Sequence, residues 1–373
     1  MAAENTPVVR AWVAEPLSAE VRRAVDRLAR AEDVRAVAVM PDVHLATTVC
    51  VGCVVATGTL LYPEAVGGDI GCGVSTVRVR GPADSARASS ETLLDDFSRL
   101  VPVLKRPARA ALSPPGDVPE GALARAWRRD GRLQFGTLGR GNHFLELQED
   151  EAGALWITVH SGSRALGPIA RDAALAAGRR TRSGLIALEA DGAAGRAYLA
   201  DVATCTAYAS ASRGALLAAA AAVVHHRLGF ALDEASLMDC DHNHVRRERI
   251  DGRALWVHRK GALAARAGEP AVIPGSMGSP TFHVVGRGEA AALMSSSHGA
   301  GRCMSRGEAR LRISPRALRR RMGAVVYDRA AAAALVGEAP QAYKDIVRVM
   351  RAQKDLTRVV RRLTPVLVYK GGG

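Results

Sequence analysis

The stretches VRAVAVM (34–40), TVCVGCVVATGTLLYP (48–63) and VSTVRVR (74–80) indicate the fold class of this 373-residue chain. They are rich in valine and threonine, and glycine and proline interrupt them, which is typical of short β-strands joined by turns. Cys50 and Cys53 lie inside the second stretch, and the chain has no other Cys-x-x-Cys pair. We therefore predict that these cysteines are buried in a strand and form neither a zinc site nor a redox centre.

Helical patterns flank these strands. They cover about residues 18–31, 90–104, 171–228 and 315–363, whereas short strands with glycine turns return at 131–170 and 238–305. The alanine-rich segment predicts a long helix over about 196–227 that ends near Gly229, and VLVYK (366–370) predicts a final strand. We expect one large α/β domain of the mixed α+β kind over residues 1–373, with mixed β-sheets, surrounding helices and a helical insertion at about 171–230.

The composition limits the possible partners. With 48% hydrophobic residues the chain can bury a core, which excludes wholesale disorder. We find no run of about 18 uncharged apolar residues and no signal-peptide pattern at the N-terminus, so we expect a cytoplasmic protein with no membrane partner. The net charge of +14 favours polyanionic partners, although 46 of the 51 basic residues are arginine, which indicates a general compositional bias.

The few lysines are more informative than the net charge. Only five occur, and three of them lie in polar clusters: Lys260 in HRKGA, Lys344 in AYKD and Lys370 in VYKGGG. Arginine is not a substitute where a compact ammonium group is needed. Lys370 is either part of a solvated tail or, if the preceding apolar run docks, a buried ligand contact.

Glycine-rich turns of this sequence repeatedly carry His, Cys, Asp or Asn. Seven of the ten histidines lie in these turns. The clusters are VMPDVHL (39–45), GGDIGCG (67–73), GRGNHFLEL (139–147), TVHSGSRALG (158–167), MDCDHNHV (238–245), HRKGA (258–262), IPGSMGS (273–279) and SSSHGAGR (295–302).

Two of these clusters carry side chains that can bind a metal ion. Asp69 and Cys72 stand three residues apart on a glycine-rich turn, and this pair fits Mn, Fe, Co or Zn, or else is a tight turn with a buried cysteine. In the second cluster, strand alternation would place His143 and Leu145 on one face and Phe144 and Glu146 on the other. His143 would then face a metal while Asn142 and Glu146 face a ligand.

Two further clusters leave alternatives open. His160 ends a β-run before Ser161-Gly162-Ser163-Arg164, where backbone N–H groups and a guanidinium can hold an anion, or where the histidine simply caps an exposed turn. In MDCDHNHV, alternation allows either Cys240, His242 and His244 or Asp241 and Asn243 to face one site. A solvated polar loop is the remaining alternative.

The last two clusters have the composition of phosphate-binding turns. IPGSMGS and SSSHGAGR can surround a phosphate with backbone amides, although the chain contains no Walker A motif and no G-x-S-x-G motif. His298, between three serines and Gly299-Ala300-Gly301-Arg302, can be a nucleophile, a base or a ligand. A simple Ser-His-Asp hydrolase is therefore the weaker interpretation.

Taken in order, these clusters make the chain resemble the RtcB family of RNA ligases over essentially its whole length. The matching segments are PDVHL, DIGCG, GNHF-x-E, HSGSR, HN, RKGA, PGSMG, HGAGR, AYKD and a terminal Lys-Gly. The resemblance implies a single α/β domain whose site is lined by strand ends and loops. It also implies an enzyme that joins an RNA 3′-phosphate or 2′,3′-cyclic phosphate end to a 5′-hydroxyl end, with GTP and Mn²⁺, through a histidine-GMP intermediate.

The same resemblance implies roles for individual residues. His298 would be the nucleophile, and two manganese ions would be bound with Cys72 as the bridging ligand. The implied metal ligands are Asp69, Cys72, His143, His160 and His242. The implied guanylate contacts are Asn142, His143, Phe144, Leu145, Glu146, His242, Asn243, Pro274, Gly275, Ser276, Met277, Thr281, His298, Gly299, Ala300, Gly301, Tyr343 and Lys370.

The chain departs from the family pattern at four places, one of them a segment of three residues. Ala46-Thr47-Thr48 replaces the usual Gly-Lys-Gly, Gly68 replaces Val, Thr281 replaces Ser and Ser297 replaces Cys. Because these changes spare the implied metal ligands and nucleophile, guanylylation should persist, while the RNA substrate is open. One alternative is a manganese-dependent guanylyltransferase that caps 3′-phosphate ends, or a cyclic phosphodiesterase, without efficient ligation. The other is a metal- and nucleotide-binding regulator without turnover. An archease-type activator or a release-factor-like partner fits the family.

Overall fold

The computed structural model describes residues 7–107 and 111–371, which form a single domain of mixed α-helices and β-sheets. The fold class expected from the sequence is therefore confirmed. The strands are β1 (Val8–Ala11), β2 (Val34–His44), β3 (Val51–Thr57), β4 (Leu60–Leu61), β5 (Gly73–Pro82), β6 (Phe144–Asp150), β7 (Ala154–Ser161), β8 (Arg179–Arg180), β9 (Ile186–Glu189), β10 (Leu232–Asp241), β11 (Asn243–Ile250), β12 (Arg253–Lys260), β13 (Ala262–Ala264), β14 (Pro270–Ile273), β15 (Thr281–Gly286), β16 (Ser295–Ser297), β17 (Val326–Tyr327) and β18 (Thr357–Tyr369).

Helices surround the sheets. They are α1 (Ala19–Ala29), α2 (Ala83–Ala88), α3 (Ser90–Leu100), α4 (Leu123–Ala126), α5 (Arg132–Gln134), α6 (Leu166–Ala177), α7 (Ala193–Leu228), α8 (Arg306–Arg312), α9 (Pro315–Met322), α10 (Ala332–Leu335) and α11 (Ile346–Ala352). Helix α1 begins where the Ser18 side chain accepts a hydrogen bond from the backbone N–H of Val21. Helix α7 ends at Gly229, which adopts the left-handed conformation that glycine allows.

Two large sheets form the framework of the domain. The larger has the order β10-β5-β7-β6-β18-β15-β14, with β17 beside β18, and the smaller has the order β1-β2-β3-β12-β11. In the larger sheet β5, β7 and β6 are antiparallel neighbours, and the pairings Gly73 with Ser161 and Phe144 with His160 bring the start of β5, the end of β7 and the start of β6 to one edge. Residues that follow or precede these strand ends therefore meet.

The chain passes from one large sheet to the other at a single residue. Strand β10 in the larger sheet ends at Asp241, and β11 in the smaller sheet begins at Asn243, so His242 alone connects them. The predicted strand alternation over 240–244 is wrong for this reason. Because the chain changes sheets at His242, both His242 and Asn243 line the same pocket, whereas His244 turns away into a buried contact with Asp241.

The structure corrects the helical prediction for 171–228. Helix α6 begins earlier than expected, and residues 178–192 are not helical, because β8 and β9 form a hairpin there that pairs with β4. The long helix itself is confirmed as α7. It packs on β5, β7 and α3 and thus forms part of the domain core.

The helical prediction for 315–363 fails at its end. Strand β18 starts at Thr357 and pairs with both β6 and β15, so the final strand is much longer than VLVYK alone. The first half of this strand, TRVVRR (357–362), consists largely of arginine and valine at mostly exposed positions, so it lacks the apolar pattern of a buried strand. A register shift between Pro365 and Leu367 accommodates the proline, which cannot donate to a β-ladder.

Among the described residues, α7 is long and apolar enough to meet a length and composition test for a membrane span. Half of the tested window is buried inside the domain, and the helix carries Arg213 with its side chain 1% exposed. The core helix of a folded domain passes the same test, and α7 packs against β5, β7 and α3 of this domain.

Candidate functional site: a cluster of potential metal ligands beside a deep pocket

A deep pocket opens where the two large sheets meet. Its volume is about 280 Å³, which is close to the lower end of the range for small-molecule pockets. Strand ends and glycine turns form its walls. The start of β5, the start of β6 and the end of β7 lie opposite His242 and Asn243, where the chain leaves β10 and enters β11. This location agrees with the expectation that strand ends and loops line the site.

Four polar side chains gather around Cys72 at the floor of the pocket. The Cys72 Sγ atom lies 3.5 Å from His143 Nε2 and 3.2 Å from His160 Nε2. His143 Nε2 is also 3.0 Å from Asp69 Oδ2, and His160 Nε2 is 3.1 Å from His242 Nε2. The structure thus brings together all five residues that the resemblance implies as metal ligands.

The cluster divides into two groups that share Cys72. One group consists of Cys72, His160 and His242, and the other consists of Asp69, Cys72 and His143; in each group the donor atoms lie within 4.8 Å of one another. Two ions with a common ligand fit this arrangement. The mixture of sulfur, nitrogen and oxygen donors suits a borderline divalent cation more than Mg²⁺ or Ca²⁺.

Burial keeps two of the histidines in the neutral form that can bind a metal ion. It lowers the pKa of His160 and of His242 well below 6.5, so both rings are neutral and each keeps a lone pair. His160 Nδ1 lies 3.1 Å from the carbonyl oxygen of Asn142, and we assign the ring proton to this nitrogen. Its Nε2 lone pair then points into the cluster, as in ligating histidines with a carbonyl behind them.

Burial also raises the pKa of the Cys72 thiol well above 9 in the metal-free protein. A bound cation reverses this effect, because a coordinating thiol is deprotonated. In contrast, the hydrogen bond from His143 lowers the pKa of Asp69 to about 2 although burial acts in the opposite direction. Metal binding at this cluster is therefore expected to release the Cys72 proton.

His298 lies above the cluster and has a buried carboxylate behind it. Its Nδ1 is 2.6 Å from Oδ2 of Asp42, which also accepts the His298 backbone N–H at 3.2 Å. Asp42 is fully buried at the end of β2. We assign the proton to Nδ1, so the Nε2 lone pair is free, and the His298 ring lies with its centroid 4.6 Å from that of His242.

Lysines of the sequence clusters hold the walls of this site. Lys344 Nζ donates to the carbonyl oxygens of Pro41 and Val43, on either side of Asp42, at 3.1 and 2.6 Å. Lys260 Nζ donates in the same way to the carbonyl oxygens of Val49 and Glu64. A compact ammonium group with three donors suits these contacts, which explains why lysine rather than arginine occurs here.

Gly261 has a direct role in the packing around His298. It has a φ of +62°, and a Cβ atom there would lie 2.2 Å from Cγ1 of Val51 and 3.0 Å from Cε1 of His298. A side chain at this position would displace the histidine ring or the pocket wall. The glycine of HRKGA therefore allows the close packing of His298 against the pocket wall.

The pocket above the cluster is lined by nearly all of the implied guanylate contacts. These are Asn142, Phe144, Glu146, His242, Asn243, Pro274, Gly275, Ser276, Met277, Thr281, His298, Gly299, Ala300, Gly301, Tyr343 and Lys370. His143 lies behind this surface within the metal-binding cluster. The side chain of Leu145 is fully buried in the hydrophobic core, so the structure places it away from the pocket, as strand alternation after Phe144 requires.

Glu146 and Lys370 are buried side chains that both line the pocket wall. Burial raises the pKa of Glu146 to about 7, although the neighbouring Lys370 charge opposes this shift. Lys370 Nζ donates to the carbonyl oxygen of His143 at 3.0 Å and lies over the Phe144 ring. The C-terminal segment is thus docked by β18, and Lys370 is not a solvated tail residue.

Several residues of the site were not identified as site residues by the sequence analysis. They are His44, Lys260, Arg302, Arg306 and Glu338 in the pocket wall, and Asp42 behind His298. Asp42 and His44 belong to the VMPDVHL cluster, so the pattern contained a signal for them. Glu338 had no such signal, because its contact with Tyr343 and Arg306 depends on how the chain folds after β17.

Three of the four departures from the family pattern lie at or beside the pocket. Gly68 leaves space that Arg171 partly fills, since a Cβ atom at this position would be 2.6 Å from its Nη1 atom. Thr281 keeps a hydroxyl group that accepts from Gln148 at 2.9 Å. Ser297 is fully buried beside the His298 position, and its backbone N–H donates to Gln353.

Comparison with known proteins shows one consistent similarity. The family profile described as "tRNA-splicing ligase RtcB" matches residues 24–116 and 115–371. The "RNA-splicing ligase RtcB" of Escherichia coli K12 is 34% identical over 405 residues, which cover 99% of this chain and 98% of that protein. The "RNA-splicing ligase RtcB" of Mycobacterium bovis is 31% identical, with 91% and 97% covered. The "tRNA-splicing ligase RtcB" of Pyrobaculum aerophilum is 29% identical, with 89% and 87% covered.

Proposed function

The chain belongs to the RtcB family, and from this premise we propose that it is a GTP- and Mn²⁺-dependent RNA ligase. It joins RNA 3′-phosphate or 2′,3′-cyclic phosphate ends to 5′-hydroxyl ends through a histidine-GMP intermediate, in RNA repair or tRNA processing. The similarity to named RNA-splicing ligases supports ligase activity on RNA in general. The GTP requirement, the end chemistry and the covalent intermediate are the finer parts of the proposal.

The observation that carries this proposal is the geometry of His298. Asp42 lies 2.6 Å from Nδ1, and with the proton on Nδ1 the Nε2 lone pair is free to act as a nucleophile in the pocket. In the proposed first step Nε2 forms a bond to the α-phosphorus of GTP. The bond from that phosphorus to the oxygen that bridges to the β-phosphate breaks, and pyrophosphate leaves.

The next two steps transfer and then release GMP. An oxygen of the RNA 3′-phosphate attacks the histidine-bound phosphorus, so the N–P bond breaks and the electron pair of that bond returns to Nε2 of His298. The RNA 5′-hydroxyl then attacks the activated 3′-phosphate, forms the phosphodiester and displaces GMP. A 2′,3′-cyclic phosphate end must first be hydrolysed to a 3′-phosphate.

The residues present fit a divalent metal pair at the Cys72 cluster. Cys72, His160 and His242 would hold one ion, and Asp69, Cys72 and His143 would hold the other. When bound, such ions neutralise phosphate charge in phosphoryl-transfer reactions. The chain's own residues hold the histidine proton at Nδ1, position the imidazole and line the nucleotide pocket.

The test is an adduct assay followed by a joining assay. Incubation with GTP labelled at the α-phosphate and Mn²⁺ should give an acid-labile, alkali-stable protein adduct, and His298→Ala should give none. RNA with a 2′,3′-cyclic phosphate and a 5′-hydroxyl should then be joined. An adduct that persists in His298→Ala would contradict the proposed nucleophile, and capped 3′ ends without joined product would favour the capping guanylyltransferase.

The raised pKa of Glu146 predicts that guanine nucleotide binding depends on pH. Guanine presents two adjacent N–H donors, which an ionised carboxylate can accept. Because the pKa of Glu146 is raised to about 7, this carboxylate is protonated below that pH and ionised above it. We expect GMP to bind about tenfold more tightly at pH 8 than at pH 6, measured by titration calorimetry. Glu146→Gln should remove this dependence; its persistence in the variant would assign it to another group.

The buried position of Lys370 predicts that its replacement slows transfer of GMP to the protein. Lys370→Met removes the donor to the His143 carbonyl oxygen and the charge beside Glu146. We expect at least about a tenfold slower rate of adduct formation, in line with the loss of a hydrogen bond from a charged group. Lys354→Met is the matched control, because Lys354 is exposed, and it should react at the wild-type rate. Equal rates in both variants would refute a role for Lys370.

A further inference from the structure

Helix α7 carries an arginine that the proposed chemistry does not use. Arg213 lies in the middle of this helix, and its side chain is only 1% exposed. A guanidinium group is rarely buried unless its donors are satisfied. Arg213 satisfies its donors with groups from three different strands, all of which lead to the metal-binding cluster.

Two of these contacts lie directly beside metal-binding residues. Nη1 of Arg213 donates to the carbonyl oxygen of Gly71 at 2.8 Å and to that of Ser161 at 3.0 Å. Gly71 immediately precedes Cys72, and Ser161 immediately follows His160. One nitrogen atom therefore connects the backbones that carry two members of the same donor group.

The remaining contacts involve β5 and β10, and β10 leads to His242, the third member of the group. Nε and Nη2 of Arg213 donate to the two carboxylate oxygens of Asp239 at 2.6 and 3.0 Å. Asp239 lies on β10, three residues before His242, and it also accepts from Ser210 one turn earlier on α7 at 2.6 Å. Nε of Arg213 additionally contacts Ser75 Oγ on β5 at 3.1 Å.

We propose that Arg213 is a positioning residue for the metal centre, because its single guanidinium sets the spacing of Cys72, His160 and His242. The residue does not touch the metal-binding atoms and acts only through the strands that carry them. The inference rests on the proposed function, since it assumes that the cluster binds a divalent cation. Through Arg213, helix α7 would stabilise the strands that carry the potential metal ligands.

The planar shape of the guanidinium is essential to this role. Its donors point in fixed directions, so one group can reach two carbonyl oxygens and both oxygens of a carboxylate at the same time. A lysine at this position keeps the positive charge but has a single nitrogen on a flexible stem. Arg213→Lys therefore separates the geometric contribution from the contribution of charge.

The experiment measures metal binding without GTP or RNA. Co²⁺ is titrated into the metal-free full-length protein, and absorption from thiolate-to-cobalt charge transfer reports coordination by Cys72. We expect Arg213→Lys to bind Co²⁺ about 10 to 100-fold more weakly than the wild type, which is typical when a group that orients metal ligands is lost. Thermal unfolding of the metal-free proteins shows whether the variant is folded.

A matched control lies on the same helix. Arg227 also pairs with an aspartate, Asp96 on α3, but it is remote from the metal-binding cluster. Arg227→Lys should keep the wild-type Co²⁺ affinity. If Arg213→Lys does not fold, Asp239→Asn and Ser75→Ala replace it, because each removes one partner of the same guanidinium and should also weaken Co²⁺ binding.

The possible outcomes separate this inference from the proposed function. A folded Arg213→Lys protein with wild-type affinity and absorption overturns the positioning role while leaving the ligase proposal intact. Wild-type affinity in both Asp239→Asn and Ser75→Ala would do the same. A wild-type protein that does not bind Co²⁺ or Mn²⁺ overturns the metal requirement and this inference with it.

Discussion

Replacing Asp42 by asparagine is expected to slow GMP transfer to His298 by about 10³ to 10⁴-fold. The Asp42 carboxylate can only accept a hydrogen bond when ionised, so it keeps the His298 proton on Nδ1. An asparagine amide can instead donate to Nδ1, which moves the ring proton to Nε2. The nucleophilic lone pair is then lost although the shape of the site is retained.

The measurement is a single-turnover rate of adduct formation at saturating labelled GTP. Asp150→Asn is the control, because Asp150 is also buried and also accepts from an aromatic ring nitrogen, that of Trp156, but lies away from the pocket. It should react at the wild-type rate. Comparable rates for Asp42→Asn and the wild type would show that Asp42 does not determine the tautomer of His298.

Replacing Cys72 by alanine is expected to abolish metal-dependent adduct formation. Cys72 is the one residue shared by both metal-binding groups, so its loss leaves each group with two donors. We expect the affinity for Mn²⁺ to fall by at least about 100-fold, which exceeds the effect typical of indirect supporting residues. Equilibrium dialysis with metal analysis measures this loss directly.

A second buried cysteine provides the control for this prediction. Cys205 on α7 is fully buried in the hydrophobic core and contributes to neither metal-binding group. Cys205→Ala removes a thiol of equal size and should keep two bound ions per protein and a wild-type adduct rate. Two tightly bound ions in Cys72→Ala would contradict the bridging role.

Local sequence patterns predicted much of the fold. Val34–His44, Val51–Thr57 and Gly73–Pro82 are strands because valine and threonine favour extended backbone and glycine marks their ends. The long helix α7 and its end at Gly229 also followed from composition. The errors lie at 178–192 and in the first half of β18, where short or partly exposed strands lack a distinct period.

The site followed from the motifs only in part. Asp69, Cys72, His143, His160 and His242 were identified by the order of short motifs, and the structure places their donor atoms together. Local alternation correctly separated Phe144 and Glu146 from Leu145, which the resemblance alone had included among the guanylate contacts. Alternation failed at His242, because a change of sheet has no local signature.

The sequence by itself thus determined which residue types this protein uses and which turns carry them, since glycine turns and strand periods are properties of neighbouring residues. Only the tertiary structure decided how they act on one another. Asp42 meets His298 across 256 positions, and Arg213 reaches Gly71 across 142. Such contacts depend on the packing of α7 and the two large sheets, because hydrogen bonds form between groups that are adjacent in space, whatever their separation along the chain.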